Sequence, residues 1–175
     1  WEDWMNPFTG SATYPESGTV LISVYLDTGL DWTAQDIART QQYLQIAVED
    51  LDEKGQEYHS GMDIVYDSRQ DSRLAVNLSL DLPDVEENLQ LTNRALDAAL
   101  AEAVDYRALM TDYQTDSVAF LVFLNDSGVS YTVPYYQGDG AEWYLEKCYL
   151  YLYDLGGRRN YECPATYAHE MLHLF

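Results

Sequence analysis

The chain has 175 residues, which is the usual size of one domain. Hydrophobic residues make up 47% and charged residues 22%, so the chain can bury a core and does not belong to the disordered or collagen-like classes. Thirty Asp and Glu against nine Lys and Arg give a net charge of −21, which would repel phosphate backbones and anionic lipid headgroups. We therefore expect neither nucleic acid nor a membrane surface as a partner.

The organisation of the chain begins with an irregular stretch. Residues 1–18 follow neither the helical nor the strand period, which predicts an N-terminal arm before a single domain at 19–175. Because the sequence starts with Trp1 rather than Met, we expect an earlier targeting segment to have been removed. The longest apolar run, 118–124, is only long enough for a strand, so we expect no membrane insertion.

The first half of the domain predicts strands around one helix. A mostly apolar run at 20–26 is typical of a strand buried on both faces. A helix is expected over 33–55, where Thr33 and Asp36 form a capping-box-like start and apolar residues recur at helical spacing. Short strands are expected after it at 62–66 and 74–80.

The second half continues the same alternation. A long helix is predicted over 85–110, opened by Asp84, and the run at 118–124 predicts the central strand of the sheet. Later elements are a short edge strand at 131–133, a strand at 149–153, and a last helix with Pro164 in its first turn that runs to the end of the sequence. This order predicts an α/β (α+β) fold: a twisted mixed sheet of about five strands, with one antiparallel edge strand and helices packed against it.

The last predicted helix carries the pattern H-E-x-x-H at His169, Glu170 and His173. Residues four apart lie on one helix face, so both imidazoles can reach one zinc ion at about 2.0 to 2.1 Å. A carboxylate beside that face can take a proton from an attacking water. The spacing therefore predicts a zinc site with a general base.

The stretch 163–175, which follows an acidic α/β domain, resembles the active-site helix of zincin metallopeptidases, and more narrowly of their metzincin-like branch. The resemblance implies a secreted or cell-surface zinc metalloendopeptidase that hydrolyses peptide or protein substrates. It implies that His169 and His173 are zinc ligands and that Glu170 is the general base. It also implies that the edge strand pairs with the substrate backbone through Tyr131, Thr132 and Val133.

The chain departs from this family in two respects. The helix at 85–110 is longer than a minimal member needs, and the sequence given ends at Phe175, two residues after His173. The family places its third zinc ligand, a His or Asp, six residues after the second histidine, and adds a C-terminal subdomain. We therefore expect these residues alone to bind zinc weakly and to hydrolyse little. His59 is the one other histidine that could ligate, although it is predicted to lie in a loop.

The two cysteines, Cys148 and Cys163, are too few for a disulfide scaffold. They could form one bridge between a late strand and the start of the last helix, or stay as two thiols. Sequence spacing does not fix the distance between their sulfur atoms, so both alternatives remain open at this point.

Two other classes of function compete with the peptidase. Sixteen of the 24 aromatic residues are Tyr, and Tyr suits both half-buried sheet faces and recognition surfaces. One alternative is therefore a non-catalytic binding module on a zincin-derived fold, which recognises a protein or glycan through a Tyr-rich edge. Another is a purely structural domain of a larger surface protein.

Overall fold

The computed structural model describes residues 11–12, 18–27, 29–57, 63–80, 89–133, 136–137, 142–143, 145–157 and 160–175. Its strands are β1 (Thr19–Asp27), β2 (Ile64–Val65), β3 (Ala75–Ser79), β4 (Ser117–Ser127), β5 (Tyr131–Val133), β6 (Tyr136–Gln137), β7 (Glu142–Trp143) and β8 (Lys147–Tyr153). Its helices are α1 (Ala34–Glu57), α2 (Leu89–Ala103), α3 (Tyr106–Tyr113) and α4 (Pro164–Leu172). The predicted mixed α/β class is confirmed.

The main sheet has six strands in the order β2-β1-β4-β8-β5, with β3 also paired to β1. β2 pairs with the start of β1 at Thr19, and β3 pairs with its later part from Ser23. All of these pairs are parallel except β5 with β8, so the predicted antiparallel edge strand is present. β4 lies in the middle, as predicted, because its side chains are buried on both faces.

Helices cover the two faces of this sheet in separate layers. α1 and α4 pack on the face formed by Leu21, Leu121 and Leu150. α2 and α3 pack on the other face through Leu96, Leu100 and Leu109, together with Val104 between them. Since side chains alternate along a strand, both faces must be apolar to bury both layers, which explains the nearly unbroken apolar strands in the sequence. No helix in the described ranges is long and apolar enough to cross a membrane.

The predicted capping box begins α1. The Asp36 backbone N–H donates to Thr33 Oγ1 over 3.1 Å, and the Thr33 backbone N–H donates to Asp36 Oδ2 over 3.2 Å. These two bonds satisfy amide groups that a helix start otherwise leaves without partners. The local sequence therefore fixes where α1 begins.

The prediction of one helix over 85–110 is wrong in the described part. α2 ends at Ala103, and α3 begins at Tyr106 after a break at Asp105, whose backbone leaves helical geometry with φ −82° and ψ 84°. The Asp105 side chain accepts the Ala108 backbone N–H over 3.0 Å and so caps the start of α3. The predicted opening at Asp84 lies outside the described residues.

Two further expectations concern the C-terminal helix and the N-terminal arm. α4 ends at Leu172 instead of running to the last residue, and Leu172 is 58% exposed. Of the predicted arm, only residues 11, 12 and 18 are described. Ser11 Oγ accepts the Val118 backbone N–H over 3.0 Å, which ties this part of the arm to β4.

Candidate metal and catalytic site

The site is built on α4, whose two faces carry different chemistry. Cys163 precedes the helix in an extended conformation, and Pro164 occupies the first turn, where its missing N–H does no harm. The inner face is apolar and packs on the sheet through Tyr167, Ala168 and Met171. This packing fixes the rotation of the helix, and it turns the predicted ligands His169 and His173 outward.

The two histidines form a close pair on the exposed side of α4. Their Nε2 atoms lie 3.2 Å apart, and their rings are nearly perpendicular at 89° with centroids 4.8 Å apart. Two nitrogen ligands of one tetrahedral zinc lie roughly 3.3 to 3.4 Å apart, given bonds of about 2.0 to 2.1 Å. The same separation suits an N–H···N hydrogen bond when one ring carries its proton on Nε2. The pair therefore already has the spacing of two ligands on one metal.

Glu170 points toward the edge strand. It is 7% exposed, and its Oε2 accepts the hydroxyl of Thr132 on β5 over 2.8 Å. The same hydroxyl lies 2.8 Å from the Glu170 backbone oxygen. The predicted general base and the predicted substrate strand are thus in direct contact.

A cleft of about 360 Å³ lies between α4 and β5. Its lining residues are Ser130, Tyr131, Thr132, Glu170 and His173. The fold therefore brings four of the predicted site residues to one cavity, although they come from segments about forty residues apart. His169 joins them through its contact with His173.

Two residues of the predicted substrate strand also belong to the core. Val133 is fully buried and packs in the layer beneath α2 and α3, so its predicted contact with a peptide reduces to its backbone. Tyr131 is partly buried and stacks on Tyr149 with ring centroids 4.9 Å apart. Thr132, between them, is the residue whose side chain faces α4.

The cysteines remain free, so the bridged alternative is not realised in this structure. Cys148 is buried on β8, where its Sγ accepts the Thr132 hydroxyl over 3.4 Å. Burial raises the pKa of the Cys148 thiol well above its usual range. Cys163 is exposed before α4, where hydrogen bonds from Thr166 lower the pKa of its thiol. One thiol lies inside the sheet layer and the other on the surface, which separates them.

The described residues contain no group of three or more His, Cys, Asp or Glu side chains placed to hold one metal. The two histidines offer two nitrogen donors, whereas a catalytic zinc takes three protein ligands and keeps one open position. His59, the other predicted candidate, lies outside the described residues. The two imidazole nitrogens fit zinc in ligand type and in spacing. They make up two of the three protein ligands that a catalytic zinc takes.

Sequence reasoning missed the contacts of two site residues. It assigned Thr132 to substrate binding but did not predict its hydrogen bond to Glu170. It did not name Ser130, whose Oγ accepts the Tyr151 backbone N–H over 3.1 Å beside the cleft. No local pattern reveals these contacts, because each joins residues more than twenty positions apart. Comparisons of the chain with protein-family models, with curated proteins and with solved structures find no match.

Proposed function

We propose that this chain is the zinc-binding part of a metallopeptidase that hydrolyses peptide bonds in a peptide or protein substrate. The observation that carries the proposal is the geometry of α4: two imidazole nitrogens lie 3.2 Å apart, and His173 lines the same cleft as the Glu170 carboxylate, beside an edge strand. A secreted or cell-surface location belongs to the same proposal.

His169 and His173 would hold the zinc ion through their Nε2 atoms. Bound there, zinc would act as a Lewis acid that polarises a substrate carbonyl and lowers the pKa of water. Both rings are exposed, so an ion can reach them without any movement of the core. The buried inner face of α4 fixes the helix from which the two rings project.

Glu170 would serve as the general base. Its carboxylate would take a proton from the attacking water and later give it to the leaving amine, a role that contributes about 10² to 10⁴ in rate. β5 supports the proposal from the other side of the cleft, because an extended peptide can add to an edge strand through backbone hydrogen bonds. Peptide and base would then meet in the same cavity.

The test combines metal content with cleavage. We expect the longest natural chain containing these residues to bind one zinc by elemental analysis and to cleave a general protein substrate such as casein. Glu170→Gln should keep the zinc and lose at least about 100-fold in kcat, because Gln preserves size but removes the base. The absence of bound zinc after metal loading, or full cleavage by the Gln variant, would contradict the peptidase proposal.

The ligand roles give a separate prediction. His169→Ala and His173→Ala should each weaken zinc binding by more than about 100-fold, since even the loss of groups that only support a ligand costs 10- to 100-fold. Competition with a fluorescent chelator measures the affinity. Leu172→Ala is the matched control, because Leu172 is exposed on the same turn and has no ligand atom. Equal affinities in all three variants would rule out a zinc site at the pair.

A second candidate is the non-catalytic binding module, in which β5 and the cleft recognise a protein or glycan. The observation in its favour is that two ligands, rather than three, come together in the described part of the chain. The two candidates separate in the same experiment. A module would show no cleavage by the natural chain.

A further inference from the structure

We propose that Thr132 is a positioning residue that fixes the Glu170 carboxylate in the cleft through its side-chain hydroxyl. The inference rests on the proposed function and deepens it, because it assigns the site a residue that acts through the base. The contact that carries it is the 2.8 Å hydrogen bond from Thr132 Oγ1 to Glu170 Oε2.

The position of Thr132 is itself well defined. β5 pairs with β8 in a register that places Thr132 opposite Cys148 and Val133 opposite Lys147, and Val133 is fully buried. The edge strand therefore cannot shift along β8 without exposing a core side chain. A hydroxyl held on such a strand is a fixed point from which to orient a flexible Glu side chain.

The hydrogen bond leaves the carboxylate able to work. Oε2 is engaged by Thr132, whereas Oε1 accepts no hydrogen bond from any other group in the described ranges. One oxygen is thus anchored and the second is available to receive a proton. A Glu side chain has three rotatable bonds, so anchoring one oxygen selects the orientation that faces the cleft.

The same hydroxyl has a structural alternative. It lies 2.8 Å from the Glu170 backbone oxygen, one of the last carbonyls of α4, which also accepts the His173 backbone N–H over 3.1 Å. The single hydroxyl proton can go to the Glu170 backbone oxygen, to the Glu170 carboxylate, or to Cys148 Sγ at 3.4 Å. A test must therefore separate a helix-end role from a side-chain role.

A double-mutant cycle in the metal-free protein makes this separation. Thr132→Val removes the hydroxyl and keeps the shape, and Glu170→Ala removes the carboxylate but keeps the backbone oxygen. If the bond to the carboxylate is formed, the unfolding equilibrium constant of the double variant, measured in urea, differs by about threefold or more from the value expected from the two single variants. If Thr132 serves only the helix end, Thr132→Val has the same effect with and without the Glu170 side chain.

Two matched variants control the cycle. Ser130→Ala removes another hydroxyl that lines the cleft but bonds to Tyr151, so its effect should add to that of Glu170→Ala. Thr132→Ser keeps the hydroxyl and should restore most of the coupling. Coupling with Ser130→Ala as large as that with Thr132→Val would remove the specificity that the proposal requires.

Kinetics then test the consequence for the base. In the zinc-loaded natural chain, Thr132→Val should lower kcat by about tenfold or more with KM and zinc affinity within about twofold of wild type, and Thr132→Ser should recover it. A structural defect would instead change zinc affinity and KM together with kcat. Additive unfolding energies, or an unchanged kcat in the Val variant, would overturn the Thr132 proposal.

Failure of the two proposals can be told apart. If the wild-type chain binds no zinc or cleaves nothing, the peptidase proposal fails, and the cycle in the metal-free protein still judges the contact between Thr132 and Glu170. If wild type cleaves and Glu170→Gln does not, the peptidase stands, and an unchanged Thr132→Val variant rejects only the positioning role.

Discussion

Cys148 and Cys163 show how far one residue type can differ within the same chain. Cys148 is buried against Thr132, and burial raises the pKa of its thiol. Cys163 is exposed before α4, and hydrogen bonds from Thr166 lower the pKa of its thiol. Since the thiolate is the reactive form, both exposure and pKa favour reaction at Cys163.

We therefore expect a disulfide reagent such as DTNB to modify one thiol in the folded chain and two after denaturation. Cys163→Ser should remove the fast reaction. Because hydrogen bonds from Thr166 lower the pKa of the Cys163 thiol, the thiolate forms at lower pH than in an ordinary cysteine, and the midpoint of the rate against pH shifts down accordingly. Thr166→Val should move this midpoint upward. Two fast thiols, or none, in the folded protein would contradict the assigned environments.

At the scale of secondary structure, the break between α2 and α3 coincides with a side-chain cap. Asp105 caps α3 by accepting the Ala108 backbone N–H. Val104, the residue before it, is buried in the layer against the sheet. The turn between the helices thus keeps Val104 on the core side.

Asp105→Ala should lower the free energy of unfolding by about 1 kcal/mol, because it leaves a first-turn amide without its acceptor. Urea denaturation monitored by circular dichroism measures the change in the free energy of unfolding. Asp105→Asn is the control, since the amide oxygen can accept the same bond and should retain most of the stability. An Ala variant as stable as wild type would show that the cap contributes nothing.

The net charge of −21 acts on the molecule as a whole. Carboxylates that repel one another disfavour the compact state, because unfolding increases their separation. Salt screens this repulsion, as the Debye length falls from about 30 Å at 0.01 M to about 8 Å at 0.15 M. The stability of this protein should therefore depend on ionic strength more than that of a neutral chain.

We expect the Tm to rise by a few degrees, roughly, when NaCl is raised from about 10 to about 150 mM at pH 7. Sodium perchlorate over the same range is the control, because screening at low concentration depends on charge and not on the kind of anion. Scanning calorimetry gives the Tm. A Tm that falls, or that changes in opposite directions in the two salts, would mean that self-repulsion is not what limits stability.

Local signals by themselves determined much of this protein. Thr33 and Asp36 mark the start of α1, the apolar run around Phe120 predicts the central strand, and the spacing of His169 and His173 places both rings on one helix face. Each of these features depends on residues that are close together in the sequence. Periodicity and capping are local properties, so the sequence states them directly.

The tertiary structure decided which of these surfaces meet. Thr132 reaches Glu170 across 38 positions because β5 returns antiparallel beside β8 and α4 crosses the same face. Val133 proved to be a core residue for the same reason, and the cysteines stayed apart because one lies in a strand and the other on the surface. Strand order depends on long-range burial of apolar faces, which no short window of sequence contains.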